Sequence, residues 1–444
     1  MILNENESKN LLTKILGYSK ADSVEATLSG SNSYNLRFAR NSLTTNGFID
    51  GLTLSVSSNF GKKTGSVSTN KFDDESLKAA VKNSELIAAL SPDNKEFMPP
   101  LGPQSYSEAG NYSSDTENLN SGNRSGLVSY VLDSALSNDV TCAGFEEDEV
   151  SFTAVISSNG LFAYNKGTNA KFSSTFRTKD GTGSSRFEKI YTDINKLGSK
   201  KLSDKAVIRS KLSMNPEELK PGRYTVILEP SAAADMITLC LNFMSSRSAD
   251  EGRSFFSRPG GGNLTGETIA GSNVNIYSDP TDVNAPSVPF SGSGEPRNRV
   301  TWIEKGILKN LHRGRFWAEK TSQPSISYPS NILMTGTEKT LEEMISETDS
   351  AILVTRFWYI RTVDPKTMLL TGLTRDGVFE IKGGKIIRPV KNFRFNESPV
   401  NVLKNLLDIG KSEKSVGTET DEFPIHVPPL KVANFNFSSL SDAI

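Results

Sequence analysis

The chain has 444 residues, 36% of them apolar and 23% charged, and its 50 basic and 51 acidic side chains leave a formal net charge of −1. That composition belongs to a globular protein of two or three domains at about 150 residues each and excludes a disordered tail protein. The balanced charge lacks the basic footprint of a dedicated nucleic-acid binder, so nucleic acid is not expected as the main ligand.

Cys142 and Cys240 are the only thiols, and His312 and His426 the only imidazoles. One cysteine pair is no disulfide framework, and these four residues lack the compact paired spacing of a zinc site. Residues 1–10 carry no basic segment leading into a long apolar stretch, so no signal peptide is read there. No run approaches the roughly 18 apolar residues of a membrane helix. A cytoplasmic protein is expected.

In chain order, an amphipathic helix is predicted within residues 1–16, on Leu11, Leu12, Ile15 and Leu16. Alternating stretches at 23–28, 34–38 and 52–56 predict half-buried strands, with turns at Asn46-Gly47 and around Asn59–Lys63. A helix follows the acidic start Asp73-Asp74-Glu75, which suits the positive end of a helix dipole. Residues 91–120 are rich in Pro, Ser, Asn and Gly, and a connection this long is expected to wrap over the surface. A helix near 127–136, strands at 141–146, 150–157 and 161–164, and a helix at about 201–212 complete the first half. The Pro/Gly punctuation at Asn215-Pro216 and Lys220-Pro221-Gly222 marks a domain boundary. It divides the chain into 1–214 and 215–444.

The second half opens with the apolar strand Tyr224–Leu228. Glu229-Pro230-Ser231 then starts a helix over 232–247, with proline tolerated in the first turn. Its many apolar residues predict a buried helix. Short strands with frequent turns follow, interrupted by one helix near 340–346, and they indicate a barrel or sandwich. The predicted class is α+β: an amino-terminal α+β domain, then a β-rich carboxy-terminal domain with one buried helix.

Few residues point to catalysis on their own. Nucleophilic catalysis needs an imidazole beside the nucleophile. His312 lies in a basic turn, where a solvated ring is expected, and His426 in a proline-bounded segment. Both cysteines have apolar neighbours, unlike reactive thiols. Gly260-Gly261-Gly262 lacks phosphate-loop spacing and reads as a flexible loop beside a groove. The acidic clusters Asp73-Asp74, Glu146–Glu149 and Asp250-Glu251 read as solvated.

The order of segments resembles the TldD/PmbA (TldE) family, peptidase U62 or "modulator of DNA gyrase" proteins, over nearly the full length. The resemblance rests on the strand-to-helix junction Gly222–Ala233, the turn Pro289–Pro296, and the hairpins Trp302–Lys309 and Ile381–Val390. Thr281–Val288 departs from it by its proline content. The resemblance implies that catalytic members carry His-Glu-x-x-x-His on the helix after that strand, binding zinc with a distant cysteine. In register, Thr238, Leu239 and Phe243 stand at the His, Glu and His positions. None supplies an imidazole ligand or a general base.

The implied function is a TldE/PmbA-like subunit of a cytosolic metalloprotease that degrades peptides or unfolded proteins. No cofactor is expected on this chain, and zinc is expected on a TldD-type partner. The implied assembly is with that catalytic subunit or as a homodimer, with Gly260–Gly262 as the tentative substrate loop. Two other readings stay open. One is a stand-alone peptide-binding protein, and the other a metallopeptidase with a non-standard site built from carboxylates with His312 or His426.

Overall fold

The computed structural model describes residues 1–420 and 423–442. The first half comprises α1 (Glu5–Tyr18), β1 (Ser23–Ala39), β2 (Ser42–Phe60), β3 (Lys63–Thr69), α2 (Asp74–Leu90), α3 (Ser114–Glu117), α4 (Ser121–Ser137), β4 (Val140–Ser157), β5 (Phe162–Thr178), β6 (Ser184–Tyr191) and α5 (Ser199–Leu212). Its strands form one six-stranded sheet in the order β3-β2-β1-β4-β5-β6, antiparallel throughout. Alternation sets the two faces. β1 buries Val24, Ala26 and Leu28, β4 buries Phe152, Ala154 and Ile156, and these pack on α1 and α2. Phe172 and Phe176 of β5 pack on α4 and α5 on the same face. The opposite face meets the second half, for example where Val155, Leu161 and Ala163 enclose Phe290.

Two readings from sequence are corrected here. Asn46-Gly47 is not a turn but lies inside β2, opposite Leu36 and Asn35. The chain reverses instead at Arg40 and Asn41, both at positive φ (51° and 59°), which matches the strand twist in a two-residue hairpin. The Asn41 side chain holds that turn by accepting from Cys142 N–H (2.6 Å) and donating to Val140 C=O (2.8 Å). The second correction concerns Glu146–Glu149, which is no solvated cluster. It lies in β4, whose alternation buries Glu146 and Asp148 on the helix side. Asp148 takes a bidentate pair from Arg124 of α4, and Arg124 stacks on Tyr34 (4.1 Å). Burial, then the neighbouring Asp148 carboxylate, pushes the Glu146 carboxyl up to about 8.

The second half comprises β7 (Gly222–Leu228), α6 (Pro230–Asn242), α7 (Ser246–Asp250), β8 (Ile276–Ser278), β9 (Val300–Glu304), β10 (Ile307–Leu308), α8 (Arg315–Thr321), β11 (Ile332–Met334), α9 (Leu341–Ser346), β12 (Ser350–Asp364), β13 (Leu369–Lys382), β14 (Lys385–Pro389), β15 (Phe393–Glu397), α10 (Pro399–Lys404), β16 (Leu406–Ile409), β17 (Glu413–Ser415), β18 (Ile425–Val427) and β19 (Leu430–Leu440). Strands β12-β7-β19-β15-β13 follow one another, and β13 pairs back with β12, so five strands close a barrel. A second sheet runs β10-β9-β8-β11-β18-β17. The mixed α+β class with a β-rich second half is as read, and α6 is the buried helix. It packs against β12, β17, β18 and α10.

The β9–β10 hairpin shows why glycine stands at 306. Its φ is 76°, and a Cβ there would lie 2.3 Å from Ala270 O. The 91–113 connection does run over the surface and straps the two halves together. Glu96 accepts twice from Arg247 (2.7 Å each), Pro99 C=O accepts from Arg315 (2.7 Å), and Tyr106 O–H donates to Gly294 C=O (2.7 Å). Among the described residues no helix is long and apolar enough to cross a membrane.

Candidate functional site

The junction of β7 and α6 lies between the barrel and a cleft at the amino-terminal sheet. Val226, Ile227 and Leu228 are fully buried, as a strand with neighbours on both sides requires. Glu229 is the N-cap with Pro230 in the first turn. Its carboxylate pairs with Arg209 of α5 (2.5 Å), both side chains being largely buried. Ser231 Oγ donates to Val416 C=O (2.7 Å).

Inside α6, Asp235 is completely buried. Its Oδ1 accepts the Glu419 N–H (2.8 Å), while Oδ2 has no partner among the described residues. Burial, only partly offset by backbone hydrogen bonds from Glu419 and Thr418, pushes its carboxyl up to about 7. Asp235 therefore clamps the 416–420 loop onto the helix. Gly417 fits so closely that a Cβ there would sit 2.4 Å from Oδ1.

The predicted helix over 232–247 is two pieces. α6 ends at Asn242, Phe243 is its C-cap, and Ser245 caps α7 through the Ser248 N–H (3.3 Å). The break arises because Ser246 N–H turns to His312 C=O (2.8 Å) and His312 N–H to Met244 C=O (2.8 Å). Thr238 is buried, with an Oγ1 that has no partner among the described residues. Leu239 and Phe243 pack against the main core. Cys240 lies between them, fully buried, its thiol pushed up to about 12 by burial.

His312 is half-buried rather than freely solvated. Its Nδ1 hydrogen-bonds to Ile326 C=O (2.8 Å), and its ring meets Tyr328 edge-on at 5.6 Å. That carbonyl requires Nδ1 to be the protonated nitrogen. His426 sits elsewhere, on β18 opposite Lys414. Cys142 is buried in β4, its thiol pushed up to about 11. Among the described residues no three His, Cys, Asp or Glu side chains come together as a metal site. Thr238, Leu239 and Phe243 of α6, a hydroxyl and two hydrocarbons, offer zinc no imidazole, thiolate or carboxylate donor.

Gly260, Gly261 and Gly262 form an exposed turn with φ of 90°, 112° and 80°, closed by Arg258 N–H donating to Gly262 C=O (3.0 Å). Asn263 tethers its end to Asp250 (2.7 Å), which also accepts from Trp317 Nε1 (2.8 Å).

A cavity of about 650 Å³ lies between β5, β6 and the barrel, and shares Arg186, Glu188, Arg356 and Asp376 with one of about 410 Å³ that reaches Glu229 and Ser231 at the α6 N-terminus. Its walls are polar. Arg356 pairs with Asp376 (2.8 Å), both largely buried, and Arg186 pairs with Glu188 (2.5 Å). Arg375 stacks over Trp358 at 3.9 Å. These residues come from distant stretches, so no linear motif announces them.

The family model for the PmbA/TldA metallopeptidase C-terminal domain matches residues 221–439, and that for PmbA/TldA metallopeptidase domain 1 matches residues 24–88. The chain belongs to the PmbA/TldD family. Its fold is shared by a candidate modulator of DNA gyrase from Bacteroides thetaiotaomicron, at 20% identity and TM-score 0.86, covering 99% of this chain and 100% of that one. TldE from Thermococcus kodakarensis is similar at 16% identity and TM-score 0.85, with 97% and 99% covered. A candidate modulator of a DNA gyrase from Thermotoga maritima is similar at 15% identity and TM-score 0.84, with 97% and 100% covered. Comparison with curated proteins finds no match. As a PmbA/TldD member the chain has a metallopeptidase-type framework, and β7–α6 lies within its matched carboxy-terminal region.

Proposed function

We propose that this chain is a TldE/PmbA-type subunit of a heteromeric metallopeptidase, in which a TldD-type partner carries the zinc and this chain shapes the chamber that holds the peptide. The reading is supported by α6 of the matched carboxy-terminal region: Thr238, Leu239 and Phe243, taken to stand at the motif positions, are a buried hydroxyl and two partly buried hydrocarbons against the core. Hydrolysis by a zinc-bound water needs ligands and a base, and these side chains offer neither. In this reading residues 1–214 and 215–444 are the two domains, and the assembly is cytoplasmic.

Substrate would be an extended peptide or unfolded segment. β6 and β17 are the last strands of their sheets, and unpaired strand edges take extended peptides by main-chain hydrogen bonds. The exposed turn at Gly260–Gly262 is, in this reading, the loop that gates substrate access. The test is cleavage of an unfolded protein such as casein by the chain alone, and after mixing with a family member that carries His-Glu-x-x-x-His. The reading requires no chelator-sensitive cleavage alone and cleavage above that of the partner alone after mixing. No gain on mixing, with peptide still bound by this chain, would favour a stand-alone peptide binder instead.

A further inference from the structure

A separate cavity of about 600 Å³ lies where the amino-terminal half meets the outer edge of the second sheet. Tyr112, Tyr191 and Lys196 line it from the first half, and Asn284, Lys414 and His426 from the second. Lys414 of β17 and His426 of β18 are direct cross-strand partners. Their side chains therefore share one face of the sheet with Cβ atoms about 5 Å apart.

Three nitrogen groups on this wall are uncommitted. Among the described residues the Lys414 ammonium, the Lys196 ammonium and the His426 ring make no hydrogen bond or ion pair. Two carboxylates, Asp115 and Asp193, also line the cavity, and they and the neighbouring Asp282 accept hydrogen bonds from adjacent groups. Asp193 accepts from Asn195 N–H (3.0 Å), Asp115 from the Asn195 side chain (2.7 Å), and Asp282 from Asn284 N–H (2.9 Å). Lys189 is spent on the Lys414 carbonyl (2.7 Å).

The electrostatics agree with this geometry. Burial, then the charges of Lys196 and Lys189, push the Lys414 amine down to about 8, against the opposing pull of Asp282. Burial also lowers His426, favouring the neutral ring, which keeps one N–H to donate. An anion placed between these groups would relieve the repulsion among the lysines in a partly desolvated site, where charge pairs count for more than in water. The volume is that of a small-molecule pocket rather than of a bare ion, and the tyrosine rings offer an apolar wall.

We propose that this cavity binds a small organic oxyanion, a phosphate or a carboxylate on an apolar body, through Lys414, Lys196 and His426. The inference does not depend on the subunit role proposed above. The probes are phenyl phosphate and phenylacetate, with benzyl alcohol as the uncharged control. Binding is followed by calorimetry, and the occupancy of Lys414 by peptide mapping after brief acylation at pH 8. One or both anions slow Lys414 acylation at least about fivefold, and Lys414→Met weakens their binding at least about tenfold. Lys414→Arg, which keeps the charge, stays within about threefold of the native chain. The anion that binds identifies the headgroup. The proposal is overturned if neither anion protects Lys414, if benzyl alcohol protects equally, or if Lys414→Met binds as well as the native chain. The protection experiment uses the native chain, so it decides even where a variant does not fold.

Discussion

Asp235 supplies the sharpest test of how α6 and the 416–420 loop are held. Its carboxyl is raised from an ordinary 3.8 to about 7 by complete burial. In the folded chain it stays protonated up to about pH 7, whereas in the unfolded chain it ionises above about pH 4. The folded state thus binds the extra proton across that window, so this group's contribution is full below pH 4 and is lost as pH rises through 7. At about 1.4 kcal/mol per unit, the loss between pH 5 and pH 8 is about 3 kcal/mol. Asp235→Asn keeps an oxygen to accept the Glu419 N–H and removes the ionisation. Urea unfolding of both chains at pH 5 and pH 8 isolates the effect, because Glu25 and Glu146, raised to about 7 and about 8 chiefly by burial, titrate in both. The native chain should lose about 3 kcal/mol more than Asp235→Asn on going to pH 8. Parallel losses in the two chains would refute the reasoning.

Three further outcomes follow from the packing. Arg356→Met leaves Asp376 buried without its cation partner, and should cost about 3–5 kcal/mol in urea unfolding at pH 7. Gly306→Ala forces a side chain into a left-handed turn and against Ala270 O, with an expected loss of about 2 kcal/mol or more in the same assay. Cys142 and Cys240, both buried with raised thiols, should resist a thiol reagent in the native chain and titrate as two thiols on unfolding. A fast-reacting thiol in the native chain would contradict that burial.

Much of the framework is legible in the chain because local rules and tertiary packing agree there. Alternation found β1 and the two halves of β4, and acidic Asp73 does cap α2 through Ser76 N–H (2.9 Å). The glycines of the β9–β10 and β13–β14 hairpins stand where φ is positive. The misses occur where distant partners decide. Asn46-Gly47 is a good turn sequence, yet β1 pairs with the whole of β2 and moves the reversal to Arg40-Asn41. The acidic run at 146–149 looks solvated until α4 brings Arg124 to Asp148. The long helix at 232–247 breaks because His312 captures the Ser246 N–H. The cleft cations Arg186 and Arg356, and the Lys414–His426 pair, meet only through strand pairing and through packing between the halves, which no local pattern encodes.

The central claim is that α6 carries a metallopeptidase framework without a metal-binding set, and metal content measures it most directly. The purified chain, equilibrated with zinc and then desalted, should hold less than about a tenth of an equivalent by mass spectrometry, with no chelator-sensitive cleavage of casein. Near-stoichiometric zinc that supports chelator-sensitive cleavage would contradict the account and return attention to His312, His426 and the carboxylates around them.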